Sequence, residues 1–280
     1  MPAADTPPEL VDTHCHIQSA DTGLGRGRGE RATQELWAKA PDLSADAIIE
    51  KAAAAGVTKL ICVGCDLEDS RLAVDFVQAR TSCWASIGIH PHEAKHFETE
   101  DSRQSFERLI RRPKVVAVGE CGLDYYYGHS PKAAQEAALC YQLELAIQHK
   151  LPLIFHVREA FDDFWPIIDR YDSLRGVLHS FTDSADNLSK ALERGLYIGV
   201  NGIATFAKDE KLLDVYRQVP LQKLLLETDA TFLTHTPYRG SINEPMQVGT
   251  ISEFLAGLRG INRGELARAT SENARQLFGI

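Results

Sequence analysis

The chain has 280 residues, 44% hydrophobic and 25% charged, with 30 basic against 39 acidic side chains and a formal net charge of -9. That balance describes a globular protein rather than a disordered one, and it argues against gripping duplex DNA by phosphate neutralisation. Met1 to Glu9 show no basic flank or apolar core of a leader, and no stretch reaches the roughly 18 apolar residues of a membrane span, so the reading is a cytoplasmic chain without membrane contact.

In chain order, residues 1–8 read as a flexible lead-in to a strand at Leu10-Val11-Asp12-Thr13-His14-Cys15-His16. A side-chain period of two turns His14 and His16 the same way, and two imidazoles on one face of a strand end can share a divalent ion. Residues 19–41 contain Gly23-Leu24-Gly25-Arg26-Gly27-Arg28-Gly29 and read as a mobile loop, with Arg26, Arg28 and Arg31 as candidates for a basic rim. Arg28 stands where the third glycine of a dinucleotide fingerprint would fall, which rejects that motif.

A repeating pattern follows. Helices near Ala45-Ala55, Ser70-Arg80 and Ser102-Arg111 lead to apolar runs at Val57-Val63, Trp84-Ile89 and Val115-Val118. Amphipathic Pro131-His149 precedes Leu151-Phe155, and further helices near Ala160-Tyr171, Ala185-Arg194 and Asp209-Gln218 lead to Gly176-Leu178, Leu196-Val200 and Leu224-Leu226. Helical segments near Glu244-Leu258 and Arg263-Phe278 close the chain. The 6 cysteines sit mostly in apolar runs and read as reduced, buried thiols; Cys62-Val63-Gly64-Cys65 is formally a C-x-x-C, but Cys62 lies inside a strand.

About eight nearly all-apolar strands alternating with helices, with no linker between them, predict an α/β fold: a single (β/α)₈ TIM barrel over 1–280, with a doubly wound open sheet as the alternative. The strand ends carry the chemistry: His14 and His16 on the first, His90-Pro91-His92 on the third, Glu120 on the fourth, His156 on the fifth, His179 on the sixth, Asn201 on the seventh and Glu227-Thr228-Asp229 on the eighth. Four imidazoles and two carboxylates gathered at one mouth can hold two divalent ions with one carboxylate between them. Such a centre polarises a phosphoryl or carbonyl oxygen and lowers the pKa of bound water, which is hydrolase chemistry.

His14-Cys15-His16, Gly88-Ile89-His90-Pro91-His92, Gly119-Glu120-Cys121-Gly122-Leu123-Asp124-Tyr125, Leu151 to His156, His179-Ser180-Phe181, Glu227-Thr228-Asp229-Ala230, Tyr238-Arg239-Gly240 with Asn243-Glu244-Pro245, and the closing Glu272-Asn273 to Gly279 follow one another in the chain. This ordered set resembles the TatD family of metal-dependent deoxyribonucleases, within the metallo-amidohydrolase barrels. The resemblance implies that His14, His16, Glu120 and Asp229 hold one ion and Glu120, His156 and His179 the other. It also implies 3'-5' exonuclease action on single-stranded DNA. The carbamylated lysine of some relatives has no counterpart, since the fourth strand carries glutamate. Three segments depart from the family pattern: Val157-Arg158-Glu159, Ser180-Phe181-Thr182-Asp183 and Asn201-Gly202-Ile203, all on the substrate side.

Beyond the ligands, Asp229 and Glu120 are the candidate catalytic carboxylates, with Asp229 placed to accept the proton of the attacking water. His92 is a candidate phosphate contact or leaving-group proton donor. Arg158 and Arg239 are candidates to clamp phosphate oxygens, and Tyr238, with Tyr125 to Tyr127, to stack on unpaired bases. Asp124 reads as a support for its loop. Oxygen ligands favour Mg²⁺ or Mn²⁺, while the imidazoles also suit Zn²⁺ or Fe²⁺. The expected molecule is a monomer with single-stranded nucleic acid as substrate. The competing readings are an ester or amide hydrolase, for example of aminoacyl-tRNA, and a non-catalytic metal-binding barrel.

Overall fold

A computed structural model describes residues 9–20, 31–40, 43–97 and 100–280. Eight parallel strands pair in sequence order, from β1 (Leu10–Cys15) through β2 (Val57–Val63), β3 (Cys83–Ile87), β4 (Val115–Asp124), β5 (Leu153–Arg158), β6 (Gly176–Leu178) and β7 (Tyr197–Val200) to β8 (Leu224–Leu226). Between and after them run α1 (Arg31–Trp37), α2 (Ala45–Ala54), α3 (Leu67–Gln78), α4 (Glu100–Leu109), α5 (Lys132–His149), α6 (Phe161–Ile168), α7 (Ala185–Glu193), α8 (Glu210–Gln218), α9 (Val248–Arg259) and α10 (Arg263–Phe278). Several begin on a side-chain cap, such as Ser44 accepting from Ala47 N and Asn262 from Gly264 N, which satisfies amides the first turn leaves unpaired. No described helix is long and apolar enough to cross a membrane.

The barrel interior is a small apolar cluster drawn from the strands, including Val11, Ile61, Ala117, Ile154, Val177 and Leu225, and plugged by Leu277 and Phe278 of α10. The larger cluster lies outside, between strands and helices. This division decides where the polar side chains point. Counting by twos, Ile154 leads to His156, Val177 to His179, and Leu225 to Glu227 and Asp229, so each continues the inward face toward the mouth.

β1 and β4 reach the same result through irregularities. A register shift between Asp12 and Cys15 lets Val11 pack inside and Cys15 outside, which turns His14 and His16 inward. A second shift, between Val118 and Cys121, brackets Glu120.

The seam between β8 and β1 has no extended ladder, only the Cys15–Ala230 bridge. Asp12 closes it, accepting from Thr228 N at 2.9 Å and Thr228 Oγ1 at 2.6 Å, while Asp229 N donates to His14 O at 2.8 Å and His16 N to Ala230 O at 2.6 Å. Barrel closure and the apposition of three proposed ligands are therefore the same set of contacts.

Some boundaries differ from the expectation. Glu120 and His156 lie within their strands, because β4 and β5 run on to Asp124 and Arg158 as a paired ribbon. The segment 19–41 is not wholly a loop: Arg31–Trp37 is helical, and Trp37 Nε1 donates to His16 O at 3.2 Å, tying this helix to the first strand. Residues 1–8, Arg26, Arg28 and the side chain of Arg31 lie outside the described residues, so the flexible lead-in and the basic rim do too.

Candidate metal centre

Glu120 is the centre of the site. Its Oε2 lies 3.3 Å from His14 Nε2, while its Oε1 lies 2.8 Å from His156 Nδ1, 3.2 Å from His179 Nε2 and 3.4 Å from His90 Nε2. On the Oε2 side, His14 Nε2 and His16 Nε2 are 3.2 Å apart, and Asp229 Oδ1 stands 3.7 Å from the first and 3.4 Å from the second. All six proposed ligands converge. With His90 they fall into groupings that could hold a metal ion: His14 with Glu120 and His179, His14 with His16 and Asp229, and His90 with Glu120 and His156.

Two glycines allow this approach. Gly119 has φ +145° and a Cβ there would lie 2.5 Å from Ile154 O; Gly122 has φ +147° and a Cβ would lie 1.9 Å from His156 O. Any side chain at either position would push β4 off β5 and separate Glu120 from His156. Asp229 itself has φ 56°, a strained conformation for a non-glycine residue, and it is held there by the bond from its own amide to His14 O.

The electrostatics suit cation binding. Burial pushes the Glu120 carboxyl up, but the imidazoles of His179, His90 and His14 overcome it and hold the group well below its ordinary value. Asp229 is likewise lowered against burial, by His16, His14 and His179. Burial and the neighbouring His179 lower His14, and burial pushes His90 down to about 4, whereas against burial the carboxylates of Glu120 and Glu227 hold His179 well above its ordinary value and those of Asp124 and Glu120 raise His156. Two buried Nε2 atoms stand 3.2 Å apart, both directed at carboxylates, and a divalent ion fits that donor set.

A second layer of contacts orients the rings. His16 Nδ1 stands 2.9 Å from Val63 O and can donate to it, which leaves Nε2 for the centre. His156 Nε2 is 2.9 Å from Asp124 Oδ2, and His179 Nδ1 is 3.1 Å from Glu227 Oε1. Each buried carboxylate fixes a tautomer and turns the other nitrogen toward Glu120. From sequence alone Asp124 reads only as a support for its loop, and Glu227 and His90 stand at strand ends with no assigned role. The missed signal is parity: Glu227 precedes Asp229 by two residues and shares its face.

Of the substrate-side candidates, His92 and Arg158 line the cavity of about 450 Å³ that opens over the centre, together with Tyr127, His129, Cys65, Thr182 and Phe232. His92 Nε2 lies 3.1 Å from Asp124 Oδ2. The Arg158 guanidinium rests over the rings of Tyr126 and Tyr127, at 4.2 and 5.0 Å. Tyr238 and Arg239 are absent from the described lining: Tyr238 packs edge-on to His235, and Arg239 lies 3.8 Å over Phe206 and donates to Thr234 O.

The profile of the family described as TatD related DNase matches residues 11–279. The chain belongs to the TatD-related DNase family. Among the relatives of this TatD-family chain, the uncharacterized metal-dependent hydrolase YcfH of Escherichia coli K12 is 34% identical over 274 residues, covering 97% of this chain and 96% of that protein. A protein named 3'-5' ssDNA/RNA exonuclease TatD, from Enterobacter lignolyticus, is 37% identical over 242 residues, covering 84% of this chain and 93% of its own. The crystal structure of YjjV, a TatD homologue from Escherichia coli K12, superposes with a TM-score of 0.84 at 29% identity, covering 98% of this chain and 100% of that one. This TatD-family chain is thus a metal-dependent hydrolase with a (β/α)₈ barrel.

Proposed function

We propose that the chain hydrolyses phosphodiester bonds of single-stranded DNA from the 3' end, with two divalent ions held on either side of Glu120. The observation that carries the reading is that Glu120 Oε2 faces His14, beside which stand His16 and Asp229, while Glu120 Oε1 faces His156, His179 and His90. The relative named as a 3'-5' ssDNA/RNA exonuclease supports the substrate and polarity. Mg²⁺ or Mn²⁺ is the proposed physiological pair, with Zn²⁺ or Fe²⁺ as alternatives given the imidazoles.

His14, His16, Glu120 and Asp229 would hold one ion and Glu120, His156 and His179 the other, and such ions would supply Lewis acidity toward a phosphoryl oxygen and a water. Asp229, kept ionised by its imidazole neighbours, accepts that water's proton as the water oxygen attacks phosphorus. The bond from phosphorus to the 3'-oxygen of the penultimate nucleotide breaks. His92, oriented by Asp124 and lining the cavity, donates the proton the departing oxygen needs.

The test is digestion of single-stranded DNA labelled at its 5' end by metal-loaded protein. Shortening from the 3' end, abolished by chelation, is expected. Failure to cut the DNA while carboxyl esters such as aminoacyl-tRNA are cleaved would transfer the same centre to ester hydrolysis.

A further inference from the structure

We infer that Tyr127, His129 and Arg158, which line the cavity over the centre, form with Tyr126 packed behind them a seat for an unstacked nucleobase next to the scissile phosphate, so that base stacking rather than phosphate neutralisation holds the substrate. This rests on the single-strand reading above and specifies what part of the strand the site grips.

The seat is built from the centre outward. Asp124 Oδ2 takes His156 and His92, and Asp124 Oδ1 accepts from Tyr127 N at 2.9 Å, so one buried carboxylate fixes a metal-side ring, the proposed proton donor and the backbone of the seat. His92 is the imidazole between them, edge-on to Tyr127 with ring centroids 5.3 Å apart and to His129 at 4.6 Å. The rings of Tyr127 and His129 are parallel within 4°, and Tyr126 stands at 88° to Tyr127, with the Arg158 guanidinium over both tyrosines. Yet Tyr126 and Tyr127 remain 54% and 50% exposed. Large rings held in place and left half open beside a reaction centre present π faces that any base can cover.

Charge leaves few alternatives. Arg158 is the only Arg or Lys in the described lining of the cavity, it already rests on the tyrosines, and the whole chain carries a net charge of -9. Among the described residues, phosphates away from the centre find little cationic surface in this cavity, whereas a guanidinium lying over aromatic rings can extend the stacking plane.

The experiment compares cleavage by the metal-loaded protein of short single strands carrying natural bases with strands abasic at the two terminal 3' positions. It also follows quenching of 2-aminopurine in a hydrolysis-resistant methylphosphonate trinucleotide. The wild type should prefer the natural strand by at least about tenfold in kcat/KM and quench the probe. In Tyr127→Ala the preference ratio should fall to within about twofold of one and the quenching should be lost, while Tyr127→Phe, which keeps the ring, retains both. Equal cleavage of the two strands by the wild type, or a preference that survives Tyr127→Ala, would overturn the seat and leave the nuclease reading intact. If neither strand is cut, the nuclease reading fails instead, and the quenching still decides the seat: lost in Tyr127→Ala it stands, absent in the wild type it falls.

Discussion

Oδ2 of Asp124 lies 2.9 Å from Nε2 of His156, so a carboxylate turned away from Glu120 dictates which nitrogen that histidine offers to the centre. The same oxygen faces His92, and its partner accepts from Tyr127 N. An amide in this position must set an N–H against a donor whichever way it is turned. Asp124→Asn should therefore weaken metal binding about 10- to 100-fold. Isothermal titration calorimetry checks it, and unchanged affinity would remove Asp124 from this role.

Glu227 does the same for His179 and adds a steric condition. Its Oε1 accepts from Ser180 N at 2.6 Å and faces His179 Nδ1, while a Cβ at Gly199 would lie 2.4 Å from Oε2. Glu227→Gln and Gly199→Ala should both lower metal affinity, the second by displacing the carboxylate. Because both act on one contact, the double variant should lose clearly less than the two single losses combined. Full additivity in the same titration would show that the two changes act separately.

Removing the metal should cost stability as well as activity. An ion present at 100 times its dissociation constant stabilises the folded state by about 2.7 kcal/mol. In a chain of this size that corresponds to a fall in Tm of roughly 4–5 °C on chelation. Scanning calorimetry with and without EDTA measures it; a Tm indifferent to chelation would mean that the six side chains are not holding a cation.

His235 supplies a pH dependence remote from the ligands. It is buried, both ring nitrogens lack hydrogen-bond partners among the described residues, and burial lowers its pKa. The folded state therefore resists protonation more than the unfolded chain does. Stability from the neutral ring is fully present above the ordinary histidine value near ~6.5 and declines as pH falls below it. Urea unfolding in chelator should show a smaller loss between neutral and mildly acidic pH in His235→Gln than in the wild type. Parallel losses would mean that His235 does not titrate in this range.

Much of the site is legible in the sequence because barrel strands obey a period of two. Once Ile154, Val177 and Leu225 are assigned inward, His156, His179 and Asp229 follow. β1 and β4 do not obey the period, and register shifts rather than alternation bring His14, His16 and Glu120 to the mouth. There the ordered family motifs supply what periodicity does not. Asp124 and Glu227 remained hidden for another reason: a carboxylate that orients a histidine reads the same in sequence as one that supports a turn, and only the hydrogen-bond partner separates them. The helix Arg31–Trp37 was masked by its glycine- and arginine-rich approach. The placing of Arg239 over Phe206 depends on loop geometry that no local pattern encodes.

The central claim is that Glu120 stands between two cations, and the most direct measurement is the metal content of the protein by inductively coupled plasma mass spectrometry after loading with Mn²⁺ or Zn²⁺ and desalting. Two ions per chain are predicted for the wild type, one for His179→Ala, which keeps His14, His16, Glu120 and Asp229 in place, and a fall below one for Glu120→Ala. A wild type that binds a single ion, or a Glu120→Ala variant that retains two, would contradict it.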